Sequence, residues 1–295
     1  MQTLLYYIVD VFAEQKYAGN QLAVIRNAGS LNAEQMQSIT REMNFAETTF
    51  ILSDTVRDNG YDVRIFTPEA EVPFAGHPTL GTAFIIQREI IKNPVDSLSL
   101  NLNVGKIPVR FSNAEKDPDI LWMRQIQPEF DLTLSPEQIA PILNLDIAAI
   151  DQKYCIQKVS TGLPFFIVPL KTLSAIQSCR INHNLLVQLL KGTATEGILV
   201  FCPETADKSA DLHVRVFVDC CSFPEDPATG SANGCLAGYL IKYRYFEREK
   251  IKLRVEQGLE IDRPSLLLLD AEQSGDMINI SVGGKVVMVG RGELL

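Results

Sequence analysis

The sequence predicts an α+β protein of two pseudo-symmetric domains, each a mostly antiparallel β-barrel wrapped around a central helix. Three observations carry this. Four segments recur in one order at separations of 149 to 151 residues: "NAEQMQSIT" (32–40) over "NHNLLVQLL" (182–190), "AETTFIL" (46–52) over "TEGILVF" (195–201), "DVRIF" (62–66) over "HVRVF" (213–217), and "HPTLGTA" (77–83) over "DPATGSA" (226–232). Collinear echoes at near-constant spacing mark an internal duplication. Short β-rich segments bounded by turn residues fill most of each half. Finally, "PTLGTAFIIQREII" and "PATGSANGCLAGYLI" are small or apolar on almost every side, as a helix buried on most sides must be. A buried helix among antiparallel strands implies a sheet curled around it.

Taken along the chain, "LLYYIVDVF" and "NQLAVIRN" read as a strand pair, followed by a helix with Asn32 as N-cap and Gln35 at N3. Strands are expected near 46–53 and 60–66, then the buried helix opened by His77-Pro78. In the second copy Asp226 is expected as N-cap and Pro227 at N1, where a missing N–H costs nothing. The hairpin "SLSLNLN"/"KIPVRF" turns at Val104-Gly105, and a similar one, "DMINISV"/"KVVMVGRGEL", is expected around Gly283-Gly284. In "SPEQIAPILNL" Ser135 caps a helix with Pro136 at N1. The expected division is 1–118 for the first barrel, with the last strand (about 285–295) as a candidate to complete it, and 119–284 for the second.

A length of 295 residues suits two cores, and 46% hydrophobic with 21% charged residues is ordinary globular composition. The net charge of −9 argues against nucleic acid and anionic membranes as partners. No signal segment or membrane-spanning run is expected. The six cysteines lack C-x-x-C spacing, and Cys220-Cys221 is poorly placed for an ordinary structural bridge, so reduced thiols in the cytoplasm are expected. His77, His183 and His213 are too scattered for a zinc site, so no metal is expected. Phosphate-loop, dinucleotide-fold and serine-hydrolase motifs are absent, and no cofactor is expected.

The chemistry concentrates at the two buried helices. If the halves pair about a pseudo-twofold, both N-termini point into a shared cleft, and the N–H groups at Gly76-His77 and Gly230-Ser231 would favour a carboxylate or phosphate. These residues can equally do no more than start two helices. Glu47, in "NFAETTFIL", sits beside Phe45 and Phe50, where desolvation would raise its pKa into the range useful for proton transfer. Taken alone, a glutamate at a strand end is first of all a solvent-facing residue. The pairs Glu69/Glu71 and Glu225/Asp226 also suggest carboxylate chemistry, with a solvated loop the plainer account of the first.

"VDVFAEQKYAGNQLAV", "NFAETTF", "VRIFTPEAEVPFAGHPTLGTA", "EDPATGSANG", "VEQGLEIDRPS" and "VGGKVVMVGRGEL" together resemble the phenazine-biosynthesis-like (PhzF) family from the first strand to the last residues. The resemblance implies a diaminopimelate-epimerase-like fold with the active site between the domains. It also implies a cofactor-independent isomerase that moves a proton within a small carboxylate-bearing compound, commonly as a homodimer. Carried over by motif, Glu47 is the acid/base, while His77, Asp226 and Ser231 position the substrate or shuttle the proton. Gly76, Gly230 and Thr229 are added as substrate-binding positions at the helix mouths. Epimerases of this fold use a thiol at each mouth; neither mouth has a cysteine beside it here, and Cys235 lies a couple of turns into its helix. Gln21 and Asp262 depart from the family's usual proline and glycine. Ala46 replaces a common serine next to Glu47 and bears on substrate identity. The alternatives to the isomerase are a non-catalytic metabolite-binding protein and a non-thiol amino-acid epimerase.

Overall fold

The computed structural model describes residues 3–112, 120–219 and 224–295. The expected boundary at 118/119 and the Cys220-Cys221 pair lie outside these residues. The chain forms two compact units, Met1–Met123 with Gly283–Leu295, and Arg124–Val282.

In the first unit the elements are β1 (Leu4–Val11), β2 (Asn20–Arg26), α1 (Ala33–Met43), β3 (Glu47–Ile51), β4 (Tyr61–Phe66), β5 (Glu71–Val72), α2 (Gly76–Ile85), β6 (Ser97–Leu102), β7 (Gly105–Phe111) and β8 (Ile120–Arg124). Helix α1 starts on the expected capping box: Asn32 accepts from the Gln35 N–H, and the Gln35 side chain accepts from the Asn32 N–H. Its apolar stripe, centred on Met36, packs on Phe50 and Phe66. The strands run β1–β2–β3–β4–β6–β7–β8, with β2/β3 and β4/β6 parallel and the other pairs antiparallel. The chain's last strand pairs with both β1 and β8 and closes an eight-stranded barrel. Helix α2 runs inside, against β1, β2, β3, β6 and β7. Gly81 makes this possible, since a Cβ there would meet the Leu22, Val11 and Val9 side chains at 2.6 to 3.2 Å. A π-helical turn, Ile86–Ile91, ends the helix.

The second unit continues with β9 (Glu129–Leu134), α3 (Pro136–Leu143), β10 (Ile156–Ser160), β11 (Pro164–Pro169), α4 (Leu173–Ser178), α5 (His183–Thr193), β12 (Gly197–Cys202), β13 (Leu212–Val218), β14 (Glu225–Asp226), α6 (Gly230–Lys242), β15 (Lys250–Gln257), β16 (Ser265–Ser274) and β17 (Met277–Leu294). Ser135 and Gln138 form a capping box at α3, with Pro136 in its first turn. The order β9–β10–β11–β12–β13–β15–β16 repeats the first unit, with β11/β12 and β13/β15 parallel where β2/β3 and β4/β6 were. Short β14 joins β13 as β5 joins β4. Helix α6 packs against β10, β11 and β16. The duplication read from sequence is thus a duplication of fold. Among the described residues no helix is long and apolar enough to cross a membrane.

One expected turn is absent. Residues 277–294 form a single strand through Gly283-Gly284, and the hairpin lies earlier, at Gly275, whose φ of 60° suits a turn. Gly283 is glycine for a different reason: a Cβ there would sit 2.6 Å from the Trp122 ring and 2.7 Å from the Leu121 carbonyl oxygen. Gly283→Ala is expected to destabilise the protein by about 1–3 kcal/mol through overpacking. An unchanged urea midpoint would show that the Trp122 ring yields freely.

Candidate functional site

In the first unit Glu47 opens β3. Side chains alternate along a strand, so residues 47, 49 and 51 share a face. That face is turned to α2, because the Thr82 hydroxyl donates to Thr49 Oγ1 at 2.8 Å. Glu47 therefore meets the N-terminal end of α2, and its Oε2 lies 3.4 Å from His77 Nε2, with side chains 19% and 7% exposed. Glu47 is largely covered, but not by Phe50 as expected, which stands on the opposite face of β3 and packs with Met36 and Phe66.

Helix α2 begins at Gly76 with Ala75 as an N-cap that offers no side chain, so His77 is a first-turn residue and not the cap. Pro78 has no N–H, and the Thr79 N–H closes the turn on the Ala75 carbonyl. The N–H groups of Gly76 and His77 thus stand at the open end of the helix. Burial drives the His77 pKa down to about 3, opposed by a hydrogen bond to the Gln21 backbone. At neutral pH His77 is an uncharged imidazole facing a carboxylate.

The mouth in the second unit is built differently. Asp226 lies in β14, Thr229 is the N-cap, and α6 starts at Gly230. The expected N-cap role of Asp226 and N1 place of Pro227 are therefore corrected. The matched heptapeptides sit in different registers, because "HPTLGTA" lies wholly within α2 whereas "DPAT" precedes α6. The Thr229 hydroxyl donates to Asp226 Oδ2 at 2.5 Å. Ser231 is buried in the first turn, where its carbonyl faces the Thr161 hydroxyl at 3.5 Å. Gly230 is also buried. One unit thus brings Glu47, Gly76 and His77 together, and the other Asp226, Thr229, Gly230 and Ser231. Cys235 is packed: its thiol, near Thr161 and the Leu163 carbonyl, is pushed up to about 11 by burial.

Two features escaped the sequence. Gln257, the last residue of β15, is completely buried and bonds Asp226, Thr229 and Asn233. The quoted "VEQG" held it, but nothing local marks a glutamine as buried. Behind it runs a buried charge network. His213 lies 2.7 Å from Glu256 and 3.0 Å from Glu260, and Arg215 holds Glu225 through two bonds of 2.9 and 2.6 Å. Glu225 is therefore paired with a cation, and Glu71 likewise grips Arg64 in place of the solvated loop expected of it. Glu69 is exposed.

Although burial opposes its charge, the two glutamates raise His213 from 6.5 to about 9, while His213 lowers both glutamates despite their own desolvation. A raised histidine stabilises the fold fully below about pH 6.5 and loses that contribution as pH climbs through 9. The lowered carboxylates contribute above their ordinary 4.5 and lose it in acid. Buried, neutral His77, held near 3, works the other way and costs stability as pH falls below 6.5, so thermal unfolding is expected at its highest near pH 6.5, with the midpoint falling by roughly 3–8 °C towards pH 9. In His213→Gln the alkaline fall should vanish; its persistence would move the effect to another group.

Residues 9–292 match the phenazine biosynthesis-like protein family, PhzC-PhzF. An uncharacterized isomerase of Mesorhizobium japonicum is 32% identical over 100% of this chain and 99% of its own length. The trans-2,3-dihydro-3-hydroxyanthranilate isomerase of Pseudomonas aeruginosa is 30% identical over 98% and 99%. Among solved structures, the Bacillus anthracis phenazine biosynthesis protein of the PhzF family superposes with a TM-score of 0.90 at 28% identity, covering 100% of both chains. A hydroxyproline epimerase from Agrobacterium vitis, at 10% identity and TM-score 0.61 over 100% and 91%, shares the fold alone. The chain belongs to the phenazine biosynthesis-like family, has its epimerase-like fold, and is an enzyme of the isomerase class.

Proposed function

We propose that this isomerase relocates a proton on a small carboxylate-bearing substrate by general acid/base catalysis, without a cofactor or metal, with Glu47 as the base. The observation that carries this is the Glu47 carboxylate set 3.4 Å from the neutral His77 imidazole at the open end of buried α2. Glu47 takes a proton from one carbon and returns it to another carbon of the same molecule, so no electrons enter or leave. A neutral His77 leaves the carboxylate free of a competing cation. Asp226 and Ser231, in the second unit, are the further catalytic residues of this proposal. In each unit the N–H groups at the helix mouth, at Gly76 in one and at Gly230 with its cap Thr229 in the other, are suited to a carboxylate and to developing negative charge. A cytoplasmic location and a homodimer belong to the same proposal, resting on the reduced-thiol reading of the sequence and on the family resemblance.

The experiment is deuterium incorporation in D2O, followed by mass spectrometry and proton NMR. The panel is trans-2,3-dihydro-3-hydroxyanthranilate, the compound named for the Pseudomonas relative, with other cyclic and amino-acid carboxylates. Incorporation at a new carbon supports the proposal. Exchange at an amino acid's α-carbon with loss of optical rotation would replace it with an epimerase. Binding of a panel member without exchange would replace it with a metabolite-binding protein.

A further inference from the structure

The hydrogen bonds around Gln257 form a closed set. Its Nε2 donates to the Asp226 carbonyl at 2.7 Å and to Thr229 Oγ1 at 3.1 Å. Its Oε1 accepts from the Thr229 N–H at 3.3 Å and from Asn233 Nδ2 at 2.9 Å. Asn233 Nδ2 also donates to the Thr229 carbonyl at 3.0 Å. Turning the Gln257 amide over would set its NH2 against the Thr229 N–H and its oxygen against the Asp226 carbonyl. Turning Asn233 over as well would set its oxygen against the Thr229 carbonyl. The orientation is therefore dictated by the network.

A hydroxyl has one proton. Because Gln257 Nε2 can only donate, Thr229 Oγ1 must accept from it, and the Thr229 proton is left to Asp226 Oδ2, 2.5 Å away. We propose that Gln257 is a positioning residue for Asp226, compelling the Thr229 hydroxyl to donate to the Asp226 carboxylate while tethering its backbone. This rests on the reading of Asp226 as a site residue.

The sheet supplies the reach. Asp226 pairs in register with Val216 and Gln257 with Val214, two residues apart on β13. Gly258 then turns at φ 78°, so close to Pro227 that a Cβ would meet its carbonyl oxygen at 2.6 Å. Of the charged groups on these elements, Arg215 pairs with Glu225, and His213 with Glu256 and Glu260, the last also 3.8 Å from Arg215, while Lys250 and Lys252 pair with Glu272 and Asp270 on β16 and Arg254 donates to the Ser209 carbonyl. Thr229 and Gln257 are thus neutral donors to Asp226 set within a charge-paired surround.

The test needs no substrate. With 13C-labelled aspartate, the Asp226 carboxyl carbon is followed against pH and assigned by its loss in Asp226→Asn. A hydrogen bond donated to a carboxylate favours its ionised form. Thr229→Val is therefore expected to move the midpoint up by about 1 pH unit, and Thr229→Ser to leave it in place. Gln257→Met should move it the same way by a smaller amount. If that variant does not fold, Gln257→Asn, which keeps an amide but falls one methylene short, takes its place. A midpoint unmoved in folded Gln257 variants overturns the proposal, as does one unmoved in Thr229→Val. Carboxyl shifts as expected, with no deuterium exchange in any protein, would leave the positioning intact and defeat the catalytic reading instead. Where wild type turns over, the Gln257 variants should lose kcat with KM little changed.

Discussion

Glu47→Gln is expected to slow proton exchange by at least about a hundredfold while leaving the unfolding midpoint close to that of wild type. The amide is nearly isosteric with the carboxylate and occupies the same place beside His77 Nε2, so packing at the mouth of α2 is retained. What disappears is a group able to accept a proton from carbon. The measurement is the rate of deuterium incorporation, with circular dichroism and thermal unfolding of the same sample. Turnover at the wild-type rate in a folded variant would falsify Glu47 as the base. Loss of turnover together with loss of folding would call for Glu47→Asp, which keeps the base but retracts it.

Removal of Glu225 is the second large effect, and it falls on stability. Arg215 is buried with its Nε and Nη2 on Glu225, and its Nη1 donates to the Ile176 and Cys179 carbonyls. In Glu225→Leu the guanidinium keeps those carbonyls and Glu260 at 3.8 Å, and loses its bidentate partner. Stranding a buried charge in this way costs about 3–5 kcal/mol. Replacing both partners, Arg215→Met with Glu225→Leu, should recover most of the loss, because no charge is then left behind. Urea unfolding of the single and double variants measures this. A single variant as stable as wild type would mean that Glu260 alone neutralises Arg215. Glu225 also precedes Asp226, so the single variant should disturb the α6 mouth as well.

Local features were readable wherever a short stretch carried the whole cause. The Asn32/Gln35 and Ser135/Gln138 capping boxes join residues three apart, so the pattern is the interaction. The duplicated strand order followed from the spaced echoes, and the burial of α2 and α6 from their lack of a polar face. The helix starts were less readable. "HPTLGTA" and "DPATGSA" align without a gap and share proline, glycine and alanine in register, yet α2 begins before His77 and α6 begins only at Gly230. Gly283-Gly284 read as a turn because glycine permits one, whereas its actual role depends on Trp122, distant in sequence.

By itself the sequence determined two copies of one barrel, the buried helix of each, and the residue types gathered at their mouths, since periodicity, capping and repetition are all written within short windows. Only the tertiary structure decided that Glu47 faces a neutral His77, that Glu225 belongs to Arg215, and that Gln257 orders Thr229 and Asp226. Those relations join residues 10 to 31 positions apart, brought together by strand register and held by desolvation. Burial decides their charge and hydrogen bonding, and burial belongs to the folded chain.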